Sequence, residues 1–199
     1  MEKGEKTMPL ALSVAKELAR LSLSGEEPDP LTNLRLQKLL YYAQAWSLIA
    51  RGSDLFPETI EAWRHGPVVP VVYHYCKTNE QDFEGIPDVP VPVREFLARF
   101  WEAYKGYSAT ALYQKTHKET PWIKAWGDRP ADGSGNDPID SIVMGDFFGG
   151  QPMPEPIAAY ERIEEQKEAA ATEQLEAMPP IDRAKFRERA VTFSGSFKK

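Results

Sequence analysis

The side chains that could do chemistry are three histidines, one cysteine and an excess of carboxylates. His74 and Cys76 stand one residue apart, and His65 and His117 could join them as zinc ligands. Structural zinc sites use two closely spaced ligand pairs, and this chain has one, so no metal is expected and Cys76 reads as a small core hydrophobe. Covalent catalysis needs an activated nucleophile beside a base. No G-x-S-x-G, Gly-rich phosphate cradle or H-E-x-x-H occurs. Residues 155–178 hold seven Glu against two basic residues. They read as a solvated helix face, because acid–base catalysis needs carboxylates fixed in a cleft. The chain is expected to carry no catalytic residue, metal or cofactor, and not to be an enzyme.

Whatever it does instead depends on the elements that place its polar and aromatic side chains. The 199 residues include 30 acidic and 24 basic, a net charge of −6, with 42% hydrophobic and 11% aromatic residues. That content excludes a disordered chain, and the acidic balance argues against coating nucleic acid or an anionic membrane. One cysteine cannot close an intrachain disulfide, the N-terminus lacks a secretory h-region, and no stretch reaches the roughly 18 apolar residues of a membrane span. A cytoplasmic protein without membrane contact is expected.

Leu10, Val14, Leu18 and Leu21 mark a first helix, after Thr7 as cap and Pro9 in the first turn. Thr32 caps a second helix that runs to about Arg51 and stops at Gly52. Leu36, Leu39, Leu40, Ala43, Trp46 and Ala50 give it a wide apolar face, leaving a narrow polar arc of Gln37, Lys38, Tyr41 and Gln44. So apolar a helix belongs inside a bundle. Residues 59–63 suggest a very short strand before Gly66-Pro67, and Val68 to Lys77 reads as a helix. Val93, Phe96, Leu97, Phe100, Trp101 and Tyr104 recur at helical spacing. Ser108, Thr120-Pro121 and Asp137-Pro138 each read as the start of a short helix, the last running through Phe148.

The expected fold is mainly α: a compact multi-helix domain of about seven short helices with at most a tiny β pair, spanning residues 1–150. Residues 151–199 read as a helical arm followed by a basic tail. Pro179-Pro180 ends the arm, and the last 19 residues carry six Lys or Arg against two acids, with Phe186, Phe193 and Phe197 interspersed.

One ordered set of motifs stands out. L-Q-K-L-L-Y-Y-A-Q occupies Leu36 to Gln44, with Trp46 behind it; Leu55-Phe56 follows, then A-W-x-x-G-P-V at Ala62 to Val68, with Tyr73 after it. T-H-x-x-x-P-W falls on Thr116, His117, Pro121 and Trp122, and a looser I-x-x-x-x-M-x-x-F-F on Ile139, Met144, Phe147 and Phe148. In order and spacing, about residues 8–150 resemble the Panacea domain, the SocA-like antitoxin family of bacteria and phages. The resemblance implies an antitoxin that binds and neutralises a cognate toxin encoded beside it. It further implies a proteolytic adaptor that delivers the toxin to a AAA+ protease.

Leu36, Leu40, Trp46, Gly66, Pro67 and Trp122 read as structural members of the motifs. Gln37, Lys38, Tyr41 and Gln44, together with Trp63 and His65, are the candidate toxin contacts, because polar groups on an apolar helix must be paired or shown to a partner. Phe186, Arg187 and Phe193 are the candidate protease contacts, since an adaptor needs a second surface. The competing reading is a DNA-binding autorepressor of its own operon. Few basic residues and no placeable helix-turn-helix speak against it, and a nucleic-acid partner is not expected.

Overall fold

Thr32, Ser108 and Asp140 begin three helices by the same device, a side-chain oxygen that accepts a first-turn N–H. Thr32 accepts from Arg35, Ser108 from Ala111, and Asp140 from Ile142 and Val143. In the computed structural model, which describes residues 10–177, these caps open α2 (Asn33–Ala50), α5 (Ala109–Thr116) and α7 (Ser141–Gly149). Proline in the first turn, where a missing N–H costs nothing, opens α3 (Pro70–Asn79), α4 (Val91–Tyr104) and α6 (Thr120–Trp126). α1 (Leu10–Leu23) and α8 (Glu155–Ala177) complete the helices of the described residues. Thr7 and Pro9 lie outside the described residues.

Three short strands accompany them: β1 (Glu61–Trp63), β2 (Gly66–Val68) and β3 (Asp137–Pro138). They form one antiparallel sheet in the order β2-β1-β3, with Ala62 opposite Pro67 on one side and Asp137 on the other. The fold is mainly α, as expected. The third strand corrects the expected start of the last short helix: Asp137-Pro138 pairs with β1, Ile139 N donates to Ile60 O at 2.8 Å, and Asp140 is the helix cap. Pro138, which has no N–H to donate, is tolerated because β3 is an edge strand.

α2 is the central element. Every residue from Arg35 to Ser47 is buried, and the helix touches α1, α3, α4, α5, α7 and β2. Leu36, Leu39 and Leu40 are fully buried, each contributing about 1.5–3 kcal/mol of hydrophobic stabilisation. Trp46 meets Phe148 edge to face at 5.2 Å, and its Nε1 donates to the Tyr104 hydroxyl at 2.6 Å. Tyr104 in turn stacks on Tyr42 and Phe100.

The compact unit continues past Gly150 to Glu161. Ile157 is fully buried, and Tyr160 packs edge-on against Phe96 at 5.7 Å. Residues 162–199 form a second unit, described here to residue 177. Residues 162–173 of its helix are largely exposed and carry a Glu164–Lys167 ion pair. Phe186, Arg187 and Phe193 lie outside the described residues.

Candidate functional site: the clamped hairpin

The polar arc of α2 faces inward, which corrects the expected exposure of Gln37, Lys38, Tyr41 and Gln44. All four are buried, Gln44 at 6% exposure being the least so. The reason lies in the irregular chain opposite, whose backbone groups need partners when buried. Gln37 Oε1 accepts from Val69 N at 2.8 Å while its Nε2 donates to Asn33 Oδ1. Gln44 Oε1 accepts from Leu55 N and Phe56 N, and its Nε2 donates to Asp54 Oδ1 and Phe56 O. Two amide side chains thus hold both ends of the segment between α2 and α3.

Lys38 holds the middle. Its Nζ donates to Pro67 O at 2.8 Å, and burial pushes its pKa down to about 7. Gly66 sits beside the amine with φ +92, and a Cβ there would lie 2.7 Å from Lys38 Nζ and 3.0 Å from Thr116 Oγ1. Only glycine meets both the backbone angle and the space. Next along α2, Tyr42 donates to Glu119 Oε1 at 3.0 Å, and Lys115 reaches the same oxygen at 2.8 Å. Tyr41 OH and Glu119 Oε2 are buried without a hydrogen-bond partner. Desolvation, reinforced by the Glu119 charge, raises the pKa of both tyrosines.

The connection between β1 and β2 is held from its other side. His117 Nε2 lies 3.1 Å from Arg64 O, so a proton on Nε2 is donated to the turn, while Nδ1 lies 2.7 Å from Tyr113 O. Trp122 Nε1 donates to Trp63 O at 3.1 Å. The His117 ring lies between Tyr113 at 4.0 Å and Trp122 at 4.2 Å, and Trp122 stacks on Trp126. Pro67 is buried in β2 and Trp122 against the core.

What the clamp presents is the tip. Arg64 and His65 are exposed and Trp63 is half-buried. Trp63 meets Tyr73 edge-on at 5.0 Å and lies 6.2 Å from His74, while His65 lies 6.3 Å from Tyr113. Trp63 thus rests against rings of α3 and His65 lies near a ring of α5, both outside the buried arc. Tyr113 and Glu119 escaped the sequence reading. Glu119 had a usable signal, a carboxylate inside the T-H-x-x-x-P-W motif, two residues before its Pro-Trp pair. Among the described residues no three His, Cys, Asp or Glu side chains converge as metal ligands, and no helix is long and apolar enough to cross a membrane. Cys76 is buried, its thiol pushed up to about 11 by desolvation.

The family model described as "Antitoxin SocA-like, Panacea domain" matches residues 36–123, a range that leaves out the looser motif at 139–148. A similar relative is Antitoxin SocA of Caulobacter vibrioides (strain NA1000 / CB15N), 48% identical over 50 residues. That stretch is 25% of this chain and 27% of the relative's length. No solved structure is significantly similar. The matched range begins at Leu36 on the central helix and ends just beyond Trp122, so it encloses the hairpin and the side chains of the clamp. Residues 36–123 are therefore similar to the SocA-like Panacea domain, and they fold around a hairpin that the motif residues hold from both sides.

Proposed function

We propose that this protein is the antitoxin of a toxin–antitoxin system and binds its toxin through the hairpin tip. One observation carries the reading: side chains from L-Q-K-L-L-Y-Y-A-Q and T-H-x-x-x-P-W are spent on fixing the backbone of A-W-x-x-G-P-V, and the residues left outward are Trp63, Arg64 and His65. Tryptophan and arginine are the types that dominate binding energy at protein interfaces, and a tip fixed in advance loses little entropy on docking. Neutralisation by contact in the cytoplasm, without catalysis or cofactor, is part of this reading.

The same reading gives residues 162–199 the adaptor role, in which the arm brings a AAA+ protease to the bound toxin. The test is co-expression of the full chain with the protein encoded beside its gene in a heterologous host. Growth should be rescued by the wild type and lost with Trp63→Ala plus His65→Ala at unchanged antitoxin level. Deleting residues 162–199 should leave toxin affinity intact and lengthen toxin half-life. Rescue by the tip variant would overturn the assignment of the tip.

A further inference from the structure

The charge around the hairpin is one-sided in an otherwise acidic chain. Of 199 residues, 30 are Asp or Glu, yet α3, α5 and α6 contain none. Two carboxylates close to the hairpin are already engaged: Glu61 accepts from Trp63 Nε1 at 2.7 Å, and buried Glu119 receives Tyr42 and Lys115. Several cations elsewhere are matched within the fold, Lys16 to Asp88, Arg20 to Glu17, Lys105 to Glu102 and Arg129 to Asp137. Arg64 at the tip, Lys118 beside His117, and Lys77 one turn beyond Tyr73 on α3 are exposed and form no ion pair among the described residues. The hairpin, α3 and α5 also carry the half-buried rings of Trp63, Tyr73 and Tyr113.

We infer that this face receives an acidic polypeptide segment of the partner, one in which Asp or Glu alternates with apolar or aromatic side chains. Arg64 and Lys118 meet its carboxylates, and Trp63, Tyr73 and Tyr113 cover its apolar side chains. The inference rests on the antitoxin reading and adds the chemistry of what is bound. Complementary charge fixes register and raises the encounter rate, and aromatic contact supplies the desolvated centre. A protein segment fits better than a nucleic acid. The net charge of −6 repels an extended polyanion over its whole length, whereas a short acidic segment touches only the cationic face.

The probe is a fluorescent random copolymer of glutamate and tyrosine, titrated with the full chain by anisotropy at about 50 mM and about 200 mM salt. Polylysine and polyuridylate serve as comparators. The expected result is saturable binding of the copolymer, weakened by the higher salt and weakened about tenfold or more by Arg64→Glu with Lys118→Glu. Arg64→Lys with Lys118→Arg should retain it. Both positions are exposed, and identical thermal melts of all variants verify that folding is unchanged. Failure of the copolymer to bind, indifference to charge reversal, or equal binding of polyuridylate would each overturn the inference. If the charge-reversed chain still neutralises the toxin while Trp63→Ala with His65→Ala does not, the acidic-segment inference falls and the antitoxin reading stands.

Discussion

Lys38 and Gly66 occupy each other's space: the buried amine that donates to Pro67 O would stand 2.7 Å from the Cβ of any other residue at position 66. The lysine can reach the hairpin backbone only because the glycine has no side chain. A change at either position is felt at both.

Gly66→Ala should therefore destabilise the fold by about 1–3 kcal/mol from its positive φ alone, with a further cost from displacing the amine. Urea denaturation of the two proteins measures it. A change below about 0.5 kcal/mol would mean that the hairpin relaxes freely.

Lys38 gives stability a distinctive pH dependence. Its folded pKa of about 7 lies below the ordinary value of 10.5, so between these limits the unfolded chain holds a proton that the folded chain lacks. Stability should then rise with pH across that window, and below about pH 7 the cost of burying the ammonium is fully present. Lys38→Met should remove this rise. Cys76 acts with the opposite sign above pH 9, because its folded thiol keeps a proton the unfolded one releases. Subtracting the Lys38→Met profile from the wild-type profile, by chemical denaturation between pH 6 and 10, isolates the lysine.

Tyr104→Phe removes the acceptor of the buried Trp46 Nε1 and keeps the stacked ring. A loss of about 1–3 kcal/mol is expected, since a buried donor is left unpaired. Thermal unfolding followed by Trp fluorescence reports it, and an unchanged melting temperature would show that another acceptor substitutes.

Ile157→Ala tests where the compact unit ends. The side chain is fully buried although it lies beyond Gly150, so truncation should cost about 2–5 kcal/mol. Ile163→Ala, at an exposed position of the same helix, should cost less than about 0.5 kcal/mol in the same denaturation experiment.

Locally encoded features were legible in the sequence. Thr32 and Ser108 each need only a few neighbouring residues to cap a helix, and both do so. Val93 through Tyr104 recur at helical spacing, and each of the six apolar positions is buried. Asp137-Pro138 was not legible, because its partner strand lies some 75 residues earlier and the dipeptide by itself has the form of a helix start. Gln37 and Gln44 failed for a related reason. A polar residue on an apolar helix points outward by default, and only the fold reveals an unpaired backbone segment that draws it inward. Trp63 and His65 were named from sequence, but the ring nearest His65, Tyr113, comes from an element some 50 residues downstream that no local pattern ties to the hairpin.

The turn between β1 and β2 is gripped by its backbone: carbonyls of Trp63, Arg64 and Pro67 receive the clamp, and none of these hydrogen bonds uses the side chains of Arg64 or His65. Those two positions behave like an interchangeable bit in a fixed chuck. Their identities can be rewritten without renegotiating the scaffold, so that a lineage of such proteins is able to change what it grips while inheriting the same handle.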